Sequence, residues 1–290
     1  IRDAQESRGL GDVYKRQILN TAIMKSSNDY LVFSDGDCIP DSHFLETHSR
    51  LAQKNYFLSG GHFPITEKVS NLLTIEDIKS QICFTKKYLL KQGQPIGKNY
   101  FKLVKNQFLA DVFDRLTPTK ATFNGNNSSA WKSDIIKANG FDVRMEYGGL
   151  DCELGYRLNN NGIKSLQIRN RATVLHLYHT RPYKNKDAVK KNRLIRKSTL
   201  ETKITKTDFE YDVDEDAHSI IAKYYRLLRL NQDGHLSDKY ENCQPFYEFI
   251  QIVRARVVCG YGKWVAALIF FNKRSKITCA VRNIVIMVAC

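Results

Sequence analysis

The stretch Tyr30-Leu-Val-Phe-Ser-Asp35-Gly-Asp37-Cys-Ile-Pro40 decides which fold the sequence predicts. Its first residues form a short apolar run, which is typical of a strand buried on both faces, and Gly36 and Pro40 end that run. In open α/β sheets the ligand crevice lies outside the carboxyl ends of the strands, so Asp35 and Asp37 are expected to lie at a binding site. Gly36 gives the chain freedom to turn between them, so that both carboxylates can face one ion.

Two carboxylates one residue apart suit a hard divalent cation. Mg²⁺ and Mn²⁺ take oxygen ligands and are often held by one or two carboxylates together with substrate phosphates. A phosphate ester is therefore the substrate that this pair favours. A bare Asp-x-Asp sequence is more often only a polar turn after a strand. The residues around the pair therefore have to distinguish a metal site from such a turn.

The residues around the pair resemble the metal-binding segment of family 2 glycosyltransferases, which have the GT-A fold. The resemblance is carried by residues 20–25 and 28–41, then by Phe44 and His48. A second block looks like the acceptor-side motif of the same family and of the related galactosyltransferase C-terminal domain, and it comprises residues 139–142, 147–158 and 161–163. Two motifs in the right order are more specific than either alone.

The resemblance implies an α/β protein with a GT-A-type, Rossmann-like mixed sheet flanked by helices. It implies transfer of a sugar, with inversion, from a nucleotide-sugar donor to a hydroxyl of a saccharide or lipid-linked acceptor. Asp35 and Asp37 would hold the Mn²⁺ or Mg²⁺ that bridges the donor diphosphate and neutralises charge on the leaving group. A histidine at the position of His176 completes the metal shell in the galactosyltransferase group.

Asp151 is the candidate general base for the acceptor hydroxyl. Leucines every four residues over 150–158 predict one apolar stripe of a helix that ends near residues 161–162, which places Asp151 in the first turn. The helix dipole favours a carboxylate there, and Gly148 and Gly149 permit a closely approached loop before it. A carboxylate that merely caps the helix explains the same pattern.

The neighbouring acids of this block have simpler interpretations. Glu153 and Arg157 have the spacing of an ordinary surface ion pair, worth a few tenths of a kcal/mol, and are predicted to be structural. Many relatives carry Glu where this chain has Leu150, so the resemblance leaves Asp151 as the remaining acid of that pair.

Further candidates can contact the donor or the acceptor. Asparagine amides can bind sugar hydroxyls, a tryptophan can stack on a sugar face, and arginine can bind phosphate in a bidentate manner. A polar turn before a core tryptophan, and a packed histidine at a strand end, are equally simple explanations. These candidates are Gly36, Asn126, Asn127, Trp131, Tyr147, Gly148, Gly149, His179 and Arg181.

Three regions are expected along the chain. Residues 1–17 have no clear apolar period and are predicted to be a non-native leader. Residues 18–205 are predicted to be a partial catalytic domain, because relatives have nucleotide-binding strands before the segment that begins at Ala22. Residues 206–290 are predicted to be a mainly helical C-terminal extension of unknown role.

The net charge of +15 and the pI near 9.4 indicate an anionic partner. No nucleic-acid module pattern is present, so an anionic membrane or a charged saccharide is favoured over nucleic acid. Basic residues concentrate in 181–197, and residues 249–290 contain no acid. The apolar runs 264–271 and 284–290 are shorter than the roughly 20 residues of a spanning helix.

Seven irregularly spaced cysteines favour reduced thiols in the cytoplasm. The sequence thus predicts a cytoplasmic, inverting, metal-dependent glycosyltransferase, peripheral on the inner face of the plasma membrane and acting in bacterial surface polysaccharide or lipopolysaccharide synthesis. A non-catalytic relative that binds saccharide or membrane is the main alternative. A phosphotransferase that uses the same carboxylates is another, and it would release phosphate from nucleoside triphosphates.

Overall fold

The computed structural model describes residues 19–146, 148–179 and 186–208, together with the backbone of two strands at 266–270 and 284–289. The protein is α/β, with two mixed sheets flanked by helices. The predicted class and the predicted mixed sheet are confirmed, and the arrangement is compatible with a Rossmann-like fold.

The larger sheet has six strands in the order β6-β3-β5-β1-β9-β8, and the smaller has three in the order β2-β7-β4. The strands are β1 (Tyr30–Asp35), β2 (Cys38–Pro40), β3 (Tyr56–Ser59), β4 (Gly61–Pro64), β5 (Ser128–Trp131), β6 (Lys164–Gln167), β7 (Thr173–His176), β8 (Ala266–Phe270) and β9 (Ile284–Ala289).

The helices cover the sheets and include two short 3-10 helices, Ile82–Phe84 and Lys98–Leu103. Within the described ranges, no helix combines the length and the apolar character needed to cross a membrane. The α-helices are α1 (19–25), α2 (Phe44–Leu51), α3 (Glu67–Leu72), α4 (Ile75–Lys79), α5 (Lys86–Lys91), α6 (Gln107–Leu116), α7 (Lys132–Lys137), α8 (Leu150–Asn160) and α9 (Lys186–Glu201).

Strand β1 lies inside the larger sheet, antiparallel to β5 on one side and parallel to β9 on the other. Its first four residues are at most 1% exposed, which confirms the predicted buried strand. Phe33 packs edge-on against Phe123 and Phe141, and α1, α7 and α8 close the core over this face of the sheet. Apolar residues of α3, α4 and α5 form a second core with the smaller sheet.

Three strands leave the larger sheet and continue into the smaller one. These passages are β1 to β2, β3 to β4, and β6 to β7. Gly60 alone separates β3 from β4, and a Cβ at Gly60 would overlap the side-chain amide of Asn127. Because β1, β3 and β6 run in the same direction, their carboxyl ends meet where the two sheets join.

Most of residues 206–290, for which the sequence predicts a mainly helical C-terminal extension, lies outside the described residues, and the described part contains two strands. There, β8 and β9 extend the larger sheet beside β1, so the sheet crosses the predicted boundary at residues 205–206. A short run rich in β-branched residues, such as 284–289, fits a strand covered on both faces. Residues 1–17 lie outside the described residues.

Helix α8 begins and ends where the sequence predicts. Leu154 and Leu158 are fully buried, and Asn161 caps the end of the helix. The Glu153–Arg157 pair, however, is buried rather than on the surface, with side-chain exposures of 1% and 0% and a closest approach of 2.7 Å. Its other partners explain the burial, because Thr199 donates a hydrogen bond to Glu153 and Arg157 donates to the Ala138 carbonyl.

Candidate metal centre and catalytic base

Asp35 and Asp37 lie at the junction of the two sheets. Asp35 is the half-buried last residue of β1, and Asp37 is in the turn that leads into β2. Gly36 between them is buried, but its φ is not in the left-handed region. The turn therefore does not depend on the conformational freedom that the sequence suggested for this glycine.

Two histidines meet the Asp37 carboxylate. The antiparallel pairing of β2 with β7 sets Cys38 opposite His176, which brings His176 Nε2 to 3.6 Å from Asp37 Oδ2. His179, just after β7, places its Nε2 at 3.0 Å from the same oxygen. The side chains of the three residues are between 13% and 29% exposed, so the cluster is half-buried yet reachable from solvent.

The electrostatics of this cluster favour an ionised carboxylate. Burial alone would raise the pKa of Asp37, but the hydrogen bond from His179 and the charges of His176 and His179 outweigh it and lower that pKa. Burial raises the pKa of the Cys38 thiol well above its usual value, and the charges of Asp37 and Asp35 raise it further. Cys38 is thus a neutral thiol whose Sγ lies 3.6 Å from Asp37 Oδ1.

The residues present fit a divalent cation. His176 Nδ1 lies 2.9 Å from the Leu177 carbonyl oxygen, so Nδ1 carries a proton and Nε2 faces Asp37. Such a backbone partner fixes the tautomer of metal-binding histidines. The donor atoms of Asp37, Cys38 and His176 lie within 4.8 Å of one another, whereas ligands about 2.1 Å from one ion are at most roughly 4.2 Å apart, so a cation would need a small approach of these side chains. Asp37 and His176 are the members that suit it, because the Cys38 thiol is neutral.

Asp151 lies in the first turn of α8, as the sequence predicts. Its Oδ2 accepts a hydrogen bond from the Gly125 N–H at 2.8 Å, and its Oδ1 accepts one from the Cys152 N–H at 2.9 Å. These bonds fix the carboxylate against the loop that precedes β5.

The glycine loop before Asp151 is held by α9. Gly148 and Gly149 both have positive φ, at 105° and 83°. Asn192 is 1% exposed and donates to the carbonyl oxygens of Glu146 and Gly148, both at 3.0 Å. The α9 helix therefore positions the start of α8 and, with it, Asp151.

A chain of contacts joins Asp151 to the Asp37 cluster. Asn126 follows Gly125, and its Nδ2 lies 3.4 Å from His62 Nδ1. The His62 and His176 ring centroids are 6.0 Å apart. The sequence analysis missed His62. It lies between Gly61 and Phe63, which are buried, and the alternation of side chains along a strand turns His62 outward.

Some candidates are not brought to this site. The Asn127 side chain is buried, accepting from His48 and donating to the Gly61 and Ala172 carbonyls, so its amide is committed inside the protein. Trp131 pairs with Tyr30 at the opposite end of β1, roughly 16 Å from Asp35 at about 3.3 Å per residue. Tyr147 and Arg181 lie outside the described residues.

Positive charge adjoins the cluster. Lys102 Nζ donates to the His62 carbonyl oxygen at 2.7 Å, and burial together with the charges of Arg169 and Lys98 lowers the pKa of Lys102 to about 8. Among the described residues, the buried atoms Arg169 Nε and Asn126 Oδ1 have no hydrogen-bond partner. Both atoms are enclosed by protein, so neither is open to a ligand in this conformation.

No family model matches the chain, and a search of curated proteins gives no match either. The fold and the site together define an α/β protein with a candidate divalent-cation centre and a candidate carboxylate base that is linked to it through Gly125, Asn126 and His62.

Proposed function

We propose that the protein catalyses metal-dependent group transfer to a hydroxyl and, more particularly, that it is an inverting glycosyltransferase of GT-A type. The observation that carries the proposal is the Asp37 carboxylate between two imidazoles at the carboxyl end of β1. The contact chain through His62 and Asn126 to Asp151 supports a single site for both motifs. The donor would be a nucleotide-diphosphate sugar, and the acceptor a saccharide or a lipid-linked saccharide.

Asp37 and His176 would hold the metal, with Asp35 and His179 beside them. Imidazole nitrogen shifts the preference of such a site from Mg²⁺ towards Mn²⁺. When bound, the metal supplies neutralisation of the negative charge on the diphosphate leaving group.

The remaining groups act on the donor and the acceptor. Asp151 would take the proton from the acceptor hydroxyl, and the Gly125 and Cys152 N–H groups hold its two oxygens in place for this. Lys102 and Arg169 offer positive charge for donor phosphate, and the side-chain NH2 group of Asn126, next to His62, is the candidate for contact with a sugar hydroxyl.

The biological setting belongs to the same proposal. Reduced cysteines and a nucleotide-sugar donor suit a cytoplasmic enzyme. We place it in bacterial surface polysaccharide or lipopolysaccharide synthesis, since these pathways use such donors and acceptors.

Asp37→Ala tests the metal centre and Asp151→Asn the base. Titration with Mn²⁺ alone should show affinity weakened more than about a hundredfold in Asp37→Ala and unchanged in Asp151→Asn. Release of nucleoside diphosphate from a panel of nucleotide sugars should fall about a hundredfold to ten-thousandfold in kcat in Asp151→Asn, because proton transfer is lost. Glu46→Gln, on the exposed face of α2, is the matched control.

The outcomes separate the alternatives. Mn²⁺ and saccharide binding without turnover of any donor would indicate a non-catalytic binder. Phosphate release from nucleoside triphosphates that depends on Asp37 would indicate a phosphotransferase. Either result overturns the glycosyltransferase proposal.

A further inference from the structure

Helix α6 turns its apolar side outward. Phe108 is 74% exposed and Leu116 is 72% exposed, and half-buried Val112 lies between them with the spacing of one helical stripe. The opposite side carries Ala110 and Asp114, both buried. This is the reverse of the usual amphipathic helix, in which the apolar stripe faces the core.

Hydrogen bonds explain why the polar side of α6 faces inward. Asp114 Oδ2 accepts from Arg171 Nε at 2.8 Å, and Asp114 Oδ1 accepts from the backbone and side chain of Asn170. Arg171 also pairs with Asp111 at 2.8 Å. The helix is thus anchored by ion pairs, and its apolar stripe is left for another contact.

The 3-10 helix at 98–103 extends the same surface. The Phe101 ring is 60% exposed and packs edge-on against the Phe113 ring of α6, with centroids 5.5 Å apart. Leu109 of α6 is 45% exposed. We call Phe101, Phe108, Leu109 and Leu116 together the α6 face.

The segment 92–121, which carries the α6 face, has a positive net charge. Asp111 and Asp114 are the acids in residues 92–121, and both pair with arginines. Lys98, Lys105 and Lys120 are exposed in the same segment. Two copies of the chain that met through this face would bring like charges together, so the charge pattern disfavours a second copy and favours an anionic occupant.

We propose that the α6 face docks on the surface of an anionic lipid bilayer. Exposed phenylalanine and leucine beside lysines are the features of segments that lie in a membrane interface, where the apolar groups enter the acyl boundary and the lysines meet anionic headgroups. The surface differs from the basic stretch 181–197 and the apolar C-terminal runs in which the sequence suggested a membrane contact.

Docking there would hold the candidate active site near the membrane. Lys102 of the same 3-10 helix binds the His62 carbonyl, and Thr173 of β7 donates to the Lys102 carbonyl at 2.7 Å. This consequence rests on the proposed function, because it would present a lipid-linked acceptor to Asp151. The membrane contact itself does not rest on it.

Vesicle co-sedimentation of the full chain tests the docking. The protein should bind vesicles of equal phosphatidylcholine and phosphatidylserine, and should bind phosphatidylcholine vesicles much less. Phe108→Ser combined with Leu116→Ser should reduce binding to the anionic vesicles at least about tenfold. Ile136→Ser combined with Leu194→Ser removes two exposed apolar groups on α7 and α9 and should leave binding unchanged.

A second measurement reports binding as a new signal, so that a variant that fails to fold cannot be mistaken for one that fails to bind. Phe108→Trp should add fluorescence that brominated lipids in anionic vesicles quench. Failure to bind anionic vesicles, or equal binding by both serine pairs, would overturn the proposal. So would a dimer, seen by light scattering, that Phe108→Ser with Leu116→Ser dissociates. None of these readouts uses glycosyl transfer, so failure of the proposed enzyme activity is seen separately.

Discussion

His48 shows how a polar side chain can be a core residue. It lies on α2 with no exposure, its Nδ1 is 2.7 Å from Ser129 Oγ, and its Nε2 is 2.9 Å from Asn127 Oδ1. It therefore ties α2 to β5 and to the loop that carries Asn126. Burial lowers the pKa of His48 to about 4, with the Asn127 hydrogen bond acting in the opposite direction.

This histidine should make stability depend on pH. The folded pKa is below the usual value near 6.5, so the unfolded chain takes up a proton first as the pH falls. The contribution of neutral His48 to the free energy of unfolding is fully present above about pH 6.5 and is lost as the pH falls from there to about 4. The loss is about 1.4 kcal/mol per pH unit, or about 3 kcal/mol in all. Urea unfolding across this range should show a flatter dependence in His48→Gln.

His43→Gln is the matched control, since the His43 side chain is 62% exposed. Its stability should follow the parent protein at every pH. If His48→Gln kept the pH dependence of the parent protein, His48 would not be the group that causes the loss of stability at low pH.

At the scale of the element, α8 carries both the candidate base and a buried ion pair. Arg157 makes three close contacts with the Glu153 carboxylate, between 2.7 and 3.0 Å. The spacing of these residues predicts that they meet, but it does not show whether the pair is exposed. The packing of α9 and α7 over this side of α8 decides that.

Breaking this pair on one side should be costly. Arg157→Met leaves Glu153 buried without its partner and should lower the free energy of unfolding by about 3–5 kcal/mol. Adding Glu153→Leu should recover much of that loss, because the unpaired charge is then gone as well. Denaturant unfolding of the two variants measures both effects.

The exposed pair of Lys197 and Glu201 on α9 provides the comparison. It has the same spacing with both side chains more than 60% exposed, so Lys197→Met should cost less than about 0.5 kcal/mol. Equal costs for Lys197→Met and Arg157→Met would show that Glu153 is not buried in solution.

At the scale of the whole molecule, β9 gives β1 its second neighbour. The amides of a strand point alternately to its two sides, so in the full chain both sets of β1 amides are bonded. In a chain that ends at Asp208, β1 would be an edge strand on the side that β9 occupies.

Hydrogen exchange can detect this difference. About half of the β1 amides should lose their protection in the chain that ends at Asp208, because only those facing β5 keep a partner. Strand β3, between β5 and β6, should keep its protection in both chains. Unchanged exchange in β1 would contradict the pairing with β9.

How much the sequence predicts depends on whether the signal is local. The buried β1, the leucine stripe of α8 and the place of Asp151 follow from short-range pattern. The position of Trp131 depends on the antiparallel register of β5 against β1. The nearness of His62 to His176 depends on which strands are adjacent in the smaller sheet. The outward stripe of α6 has the spacing of any amphipathic helix, and only the tertiary contacts of Asp114 orient it.

The parallel pairing of β1 with β9 also bears on how the protein folds. Tyr30 pairs with Ile284, so a central strand is completed by residues made much later in synthesis. Pairings of such high contact order form slowly, because a long loop must close before the contact stabilises anything. Until then one edge of β1, next to the metal-binding turn, is open to other chains, and we expect the nascent protein to depend on chaperones at that stage.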